Sequence, residues 1–204
     1  MLEKVNNRKL QGQQTKEKIY TTAKAMFEEY GIENVSTRDI AKEVGVSIGA
    51  VYLYFPSKEN IVACMIEEDA LKHNSEFMEF FNLLDKEKPA SDLIVEICVF
   101  VNDFMQRVVG HQKFTMFYKS MLDFGVQGNP NEVIKTVLKA IIEVYELGVA
   151  RGELKEANSM EVALQIKTIL CGLEVEWCTD KNNYFLQKTK EMVTLLMQNY
   201  ISTH

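Results

Sequence analysis

Apolar residues recur at intervals of three and four along nearly the whole chain, and alternating apolar and polar runs are absent. Such spacing predicts amphipathic helices rather than half-buried strands. The three prolines, Pro56, Pro89 and Pro130, all fall between helical patterns. The pattern therefore predicts an all-α fold.

The helices predicted for the first quarter of the chain are short and closely spaced. The first follows Thr15, a suitable N-cap, and stops at Gly31, because glycine favours a helix C-terminus. Two later helices begin after the N-cap candidates Ser47 and Ser57. The remaining predicted ranges are roughly 37–44, 91–109, 113–124, 131–151, 159–178 and 184–201.

The segment TRDIAKEVGVSIGAVYLYF, at about residues 37–55, has the spacing of a helix-turn-helix. Ala41 is small where two helices must cross closely, and Gly45 permits the left-handed backbone of a tight turn. Val51 packs back onto the first helix of the pair. In such motifs the second helix enters the major groove of DNA.

The exposed face of that second helix is compatible with DNA. Its first residues have little bulk, so the backbone can approach base edges or a thymine methyl group. Tyr52 and Tyr54 point to opposite flanks, where two phenols can donate to the phosphate walls of a groove. The alternative is that both tyrosines are packing residues, and Tyr54 lies beside Phe55. The small residues are Ser47, Ile48, Gly49 and Ala50.

Lys58 is predicted at the start of the fourth helix, where the partial positive charge of a helix N-terminus disfavours a cation. A phosphate bound at that terminus would attract both the lysine and the free N–H groups. Lys58 is therefore a candidate phosphate contact.

Composition and charge restrict the class of protein only loosely. The net charge is −6, and residues 1–60 contain nine basic and eight acidic side chains. This balance is not that of a strongly basic nucleic-acid binder, although residues 1–24 carry a net charge of +4. The polar N-terminus is not a signal peptide, and no apolar run is long enough to span a bilayer, so we expect a cytoplasmic protein without a membrane partner.

Residues 13–60, and above all VSTRDIAKEVGVSIGAVYLYFPSKENI, resemble the DNA-binding domain of the TetR family of bacterial transcriptional regulators. The resemblance implies a three-helix DNA-binding domain at residues 1–60 and a helical-bundle domain for ligand binding and dimerisation at 61–204. It also implies phosphate contacts from Thr37, Tyr52, Tyr54 and Lys58, and a base or phosphate contact from Arg38. The residues expected to meet bases or the groove floor are Ser47, Ile48, Gly49 and Ala50.

The same resemblance implies that the last two helices form a four-helix interface in a homodimer. Ordinary packing within one chain is the alternative for each of these residues. The candidates are Leu164, Thr168, Cys171, Gly172, Val175, Met192, Leu195, Leu196 and Asn199.

Residues 95–125 are rich in aromatic and methionine side chains, which suit the wall of an apolar pocket. Together with two aromatics further along, they are predicted to line a cavity for a hydrophobic small molecule; a helical-bundle core is the alternative. The predicted lining residues are Phe100, Phe104, Met105, Phe117, Met121, Tyr145 and Trp177.

Glu174 and Glu176 interrupt an apolar run and are predicted on a solvated helix face, because unpaired carboxylates are seldom buried. If one of them faced the cavity, it would favour a cationic ligand. The four cysteines are predicted to be buried thiols; Cys171 and Cys178 share a helix face, which leaves redox sensing as an alternative. No metal site and no cofactor are predicted.

These observations favour a ligand-responsive transcription factor, most simply a repressor that binds a palindromic operator in double-stranded DNA. Two alternatives have different partners: a helix-turn-helix protein that acts as a co-regulator through protein–protein contacts, and a helical enzyme acting on a lipid-like substrate. The sequence lacks the nucleophile, phosphate-loop and zinc motifs that an enzyme would need, so no catalytic residue is predicted.

Overall fold

A computed structural model describes residues 2–124, 131–181 and 184–202. The prediction of an all-α fold is confirmed: the described residues form nine α-helices and one π-helical turn. A single antiparallel bridge joins Leu154 to Ile201. The helices are α1 (Leu2–Tyr30), α2 (Thr37–Val44), α3 (Ile48–Tyr54), α4 (Lys58–Leu83), α5 (Ala90–Phe104), the π-helical turn (Met105–Val109), α6 (His111–Phe124), α7 (Asn131–Ala150), α8 (Ser159–Thr179) and α9 (Phe185–Gln198).

Local rules account for the boundaries of α2. Ser36 accepts a hydrogen bond from the Asp39 backbone N–H, and the Asp39 carboxylate accepts one from the Ser36 backbone N–H, which completes a capping box. The bonds from Ser36 also lower the pKa of the Asp39 carboxyl. Gly45 ends the helix in the left-handed conformation with φ of 79°.

The prediction for the start of α1 was wrong. The helix begins at Leu2, and the Thr15 hydroxyl donates to the Gln11 carbonyl within the helix instead of capping it. Threonine can satisfy its hydroxyl on the preceding turn in this way, so a threonine in a polar helical stretch does not mark a boundary.

The buried apolar side chains form two clusters. The first is formed by side chains of the second half of α4 and of α5, α7, α8 and α9, and it includes Leu93, Ile141 and Ile166. The second joins the packed faces of α1–α4 to Phe104, Phe114, Leu173, Trp177 and Phe185. The N-terminal helices therefore share a core with α6 and with the ends of α8 and α9.

Helix α4 connects the two parts of the molecule. The predicted division at residue 60 falls in its first turn, where Ile61 is fully buried in the second cluster. Further along α4, Glu68 accepts hydrogen bonds from the Tyr20 hydroxyl and the Lys24 ammonium of α1. The next residue, Asp69, pairs with Lys113 of α6 at 3.0 Å. Neighbouring acids of α4 thus contact α1 and α6.

Candidate nucleic-acid interface

The helix-turn-helix has the geometry that its spacing predicts. Ala41 and Val51 are buried against each other's helices, with Val51 fully inaccessible to solvent. The Gly45 N–H donates to the carbonyls of Ala41 and Lys42, which closes the α2 C-terminus before the turn. Ser47 caps α3 by accepting from the Ala50 N–H at 3.1 Å.

A polar groove of about 380 Å³ lies along the exposed side of this motif. Arg38 at the start of α2 and Tyr52 on α3 are exposed, and Tyr52 keeps 48% of its surface accessible. Thr37, Arg38, Ile48, Tyr52 and Lys58, which the sequence marked as candidates, therefore share one surface. The groove is lined by Ser36, Thr37, Arg38, Ile48, Tyr52 and Lys58.

The other candidate DNA contacts divide into two groups. Gly49 is exposed and Ala50 half-buried on the same helix, next to the groove, and the Ser47 hydroxyl is occupied as the α3 cap. Tyr54 is half-buried and packs against the second cluster. A Cβ atom placed on Gly12 would lie 3.3 Å from the Tyr54 hydroxyl, so α1 passes close to that hydroxyl. The packing alternative therefore describes the position of Tyr54 better.

Lys58 has structural partners that the sequence did not reveal. Its ammonium donates to the carbonyls of Ile32 and Val35, at 2.7 and 3.0 Å, in the segment between α1 and α2. These bonds explain why a cation is tolerated at the start of α4. An ammonium has three donors, so one remains for an anion in the groove.

Two glycines of the motif provide a matched stability test. We expect Gly45→Ala to destabilise the protein by about 1 kcal/mol, because an L side chain is strained at positive φ. We expect Gly49→Ala to stabilise it by about 0.5–1 kcal/mol, because Gly49 lies in a helix and its Cβ position meets only the Ser47 Oγ, at an ordinary contact distance of 3.9 Å. Denaturant unfolding measures both changes, and shifts of the same sign would contradict this account.

An exposed apolar face runs along α8 and α9. Leu164, Val175, Met192 and Leu195 keep between 43% and 56% of their surfaces accessible. Thr168, Gly172 and Asn199 are also exposed, whereas Cys171 and Leu196 are half-buried and Leu196 packs on the first cluster. The exposed candidates for the dimer interface thus lie on these two helices, and Met160, 49% exposed, adds an apolar side chain that the sequence reasoning missed.

The predicted pocket residues divide between the two clusters. Tyr145 is fully buried in the first cluster, where its hydroxyl donates to the Lys155 carbonyl, and Phe100 stacks on Phe80 beside the same cluster. Trp177 belongs to the second cluster and stacks on Phe185 at 4.9 Å. The remaining members of the second group are Phe104, Met105 and Phe117; the side chain of Met121 lies outside the described residues.

The two acids of α8 have different environments. Glu176 is exposed and pairs with Lys188 at 2.8 Å, as expected for a solvated face. Glu174 is half-buried against α6, where it accepts a hydrogen bond from the Tyr118 hydroxyl at 2.7 Å. The prediction of a solvated position is therefore wrong for Glu174. Burial raises the pKa of its carboxyl to about 7, although the Tyr118 bond opposes this.

The cysteines next to this pair are not activated thiols. Cys171 and Cys178 are half-buried, and burial is the main cause that raises the pKa of each thiol, with Glu174 adding to it. A raised pKa leaves less of the reactive thiolate. Seven residues of helix separate the two by roughly 10 Å along the axis, which is too far for a disulfide between them.

The pKa of Glu174 gives a prediction for stability against pH. Because the folded-state pKa lies above the unfolded value of 4.5, proton uptake stabilises the fold below that value, and this stabilisation is lost as pH rises to about 7. The loss is at most about 3 kcal/mol, and less where water reaches the carboxylate. We expect Glu174→Gln to lack this loss, because glutamine does not ionise. The melting temperature of the variant minus that of the parent should therefore be roughly 5 °C higher at pH 8 than at pH 5. An equal difference at both pH values would contradict the buried carboxylate.

Among the described residues there is neither a candidate metal-binding group nor a candidate membrane-crossing helix. These residues include no group of three or more histidine, cysteine or acidic side chains placed to hold a metal ion. None of the described helices combines the length and apolar character that a membrane crossing needs.

The sequence reasoning also missed Leu53 and a second groove. Leu53 is an apolar residue of α3 that is 76% exposed, and it is a second exposed apolar side chain on that helix besides Ile48. The second groove, of about 400 Å³, lies between the start of α4 and α6 and is lined by Lys58, Glu59, His111, Gln112, Thr115, Met116, Lys119 and Glu33. Lys58 therefore borders both grooves. The spacing of residues along one helix cannot reveal a surface that two helices form together.

Comparison with known proteins confirms the resemblance of the N-terminal region. The family described as "Bacterial regulatory proteins, tetR family" matches residues 19–65. The chain is 24% identical over 151 residues to the "Fatty acid metabolism regulator protein" of Bacillus subtilis (strain 168), which covers 72% of this chain and 75% of that protein. These relatives are regulators, and the prediction that the chain is not an enzyme is confirmed.

Solved structures share the whole fold. A TetR-family transcriptional regulator from Pectobacterium atrosepticum superposes with a TM-score of 0.67 at 14% identity, covering 95% of this chain and 97% of that one. Thermus thermophilus FadR, a TetR-family transcriptional repressor in complex with lauroyl-CoA, gives a TM-score of 0.60 at 16% identity, with coverage of 93% and 96%.

Proposed function

We propose that this TetR-family transcriptional regulator represses transcription by binding a palindromic operator as a homodimer, and that a small molecule with an apolar part releases it. The observation that carries the proposal is the groove on the helix-turn-helix. It gathers a guanidinium, an ammonium and an exposed phenol around the start of α2 and the side of α3.

The groove supports a specific mode of DNA binding. Arg38, Thr37 and Tyr52 line the groove and provide donors for phosphates or base edges. Ile48 and Leu53 are exposed apolar residues of α3, which suit contact with thymine methyl groups. Phosphate contacts would fix the position of the helix, while Arg38 and the apolar residues would read the sequence.

The exposed apolar face of α8 and α9 supports the homodimer. Leu164 and Val175 on α8 and Met192 and Leu195 on α9 would be shielded from water by a second copy of the same face. The exposed Gly172 has nothing within 4 Å of its Cβ position, so another helix can approach it closely. A two-fold dimer explains why the operator should be palindromic, with half-sites about 34–36 Å apart.

Release by a ligand requires that ligand binding and the spacing of the two α3 helices be coupled. Helix α4 provides the connection, because Glu68 contacts α1 and Asp69 contacts α6. A ligand that binds better to another arrangement of α6 and α4 would lower the population able to bind DNA. The similarity to FadR in complex with lauroyl-CoA supports a ligand with an apolar chain.

A mobility-shift assay tests the proposal. DNA flanking the chain's own gene should be shifted at low salt, and the affinity should fall steeply with added salt because phosphate neutralisation releases counterions. Addition of amphiphilic ligands should then release the DNA. Absence of any shift at low salt would contradict the DNA-binding function, and a shift insensitive to salt would indicate protein contacts instead of phosphate contacts.

A further inference from the structure

The seam between α6 and α8 contains an acidic group in aromatic surroundings. Glu174 of α8 is half-buried and accepts one hydrogen bond, from the Tyr118 hydroxyl of α6. Among the described residues it has no ion pair with a lysine or arginine, in contrast to Glu176 two positions later. A carboxylate removed from water without a counter-ion is costly, so it favours either a proton or an incoming cation.

The ring of Tyr118, whose hydroxyl reaches this carboxylate, forms a corner with the ring of Phe117. Phe117 and Tyr118 are half-buried and perpendicular, with centroids 6.2 Å apart, and Phe114 lies 5.1 Å from Tyr118. Trp177 continues the set at 5.5 Å from Phe114. Aromatic faces attract cations and can bind quaternary ammonium groups. A nearby carboxylate favours a cation through its charge. The Tyr118 phenol stays protonated because burial and Glu174 raise its pKa, so it adds no negative charge.

We propose that the effector of this regulator is an organic cation, and that its ammonium group binds between Glu174 and the aromatic corner formed by Phe117 and Tyr118. The proposal rests on the proposed function, because it takes the bound cation to be the molecule that releases DNA. An apolar tail would lie against the second cluster, on which half-buried apolar side chains such as Met105 pack. An anionic head group is disfavoured at this site by the same carboxylate.

Three probes with one tail and different heads test the charge preference: decyltrimethylammonium, decanol and decanoate, each below its micelle concentration. Trp177 is the only tryptophan of the chain, so its fluorescence reports binding beside the proposed site without DNA. We expect decyltrimethylammonium to bind at least about tenfold more tightly than decanol, with decanoate the weakest. Calorimetry provides a second measurement of each dissociation constant.

Matched variants locate the site. Glu174→Gln should weaken binding of decyltrimethylammonium by about tenfold or more and leave decanol unchanged, while Glu176→Gln on the exposed face should change neither. Tyr118→Phe removes only the hydroxyl bond, so the cation should still bind. Thermal melts of all variants confirm that they are folded.

Failure of this inference and failure of the proposed function are distinguishable. If decanol or decanoate binds as tightly as the cation, if no cation binds, or if Glu174→Gln has no effect, the cation site is contradicted, whatever the DNA assay shows. If the cation binds through Glu174 but never releases DNA from the protein, the site stands and its role as the effector site is overturned.

Discussion

Leu195→Glu is expected to convert the protein from a dimer into a monomer and to reduce operator affinity by at least about 100-fold. Leu195 is 56% exposed on α9, within the apolar face that we propose to be buried by a second copy. In a two-fold interface each copy would bring its own glutamate into that buried face, and unpaired charges there are strongly unfavourable. The two recognition helices would then no longer be linked. Sedimentation velocity measures the first effect and fluorescence anisotropy with operator DNA the second.

Leu122→Glu is the matched control for this substitution. Leu122 is also an exposed leucine, at 85%, but it lies on α6 and not on α8 or α9. It should leave the dimer and the DNA affinity unchanged. A Leu195→Glu protein that still sediments as a dimer would place the interface elsewhere.

Arg38→Ala is expected to weaken operator binding by about 10-fold to 100-fold. Arg38 is exposed at the start of α2 and lines the groove of the helix-turn-helix. The substitution removes a guanidinium that can contact a base edge or a phosphate, and the exposed position predicts little change in stability. Anisotropy titrations at several salt concentrations separate the two roles, because loss of a phosphate contact lowers the salt slope by about one unit.

The control for Arg38 is Arg107→Ala in the π-helical turn between α5 and α6. The Arg107 guanidinium is paired with Asp103 on an exposed surface, at 2.6 Å, and it does not border the groove. Its removal should leave DNA binding unchanged. An equal loss of affinity in both variants would indicate that overall charge, not the groove, determines binding.

Lys58 would be a less informative choice for this experiment. The sequence suggested that its removal would weaken binding to every DNA sequence equally. In the structure its ammonium also binds the carbonyls of Ile32 and Val35, so Lys58→Ala would leave two acceptors without their donor. A loss of DNA affinity would then combine a lost phosphate contact with a disturbed loop.

The helix-turn-helix could be predicted because its determinants are local. Gly45 is needed because φ is positive at that position. Ser47, two residues later, caps α3. Such features lie within a few residues of one another and need no knowledge of the rest of the fold. The same holds for most helix boundaries, which agree with the predicted ranges within a few residues from α2 onward.

The features that the sequence did not reveal depend on contacts between distant segments. Lys58 meets carbonyls 26 and 23 residues away, and Glu174 meets a tyrosine 56 residues away. Helical periodicity predicts which residues share a face, but not which face another helix covers. This explains why Glu174 and Glu176, two residues apart, were assigned the same solvated environment.

The division of the predicted pocket residues between two clusters has a related reason. A stretch rich in phenylalanine and methionine is typical of both a ligand cavity and a packed core. Phe100 and Trp177 satisfy the same composition rule, yet they belong to different clusters, because α5 and α8 each contribute side chains to both. Composition identified the aromatic and methionine side chains. Only the packing of the helices showed that they divide between the two clusters.

Selection of DNA from a pool of random duplexes by the purified protein tests the central claim most directly. The account predicts an enriched palindrome whose half-site centres are about 34–36 Å apart, or a multiple of that distance. It also predicts that Arg38→Ala loses or relaxes the enrichment. Enrichment of no sequence at low salt, or of a single half-site without symmetry, would contradict a dimeric regulator that reads DNA through α3.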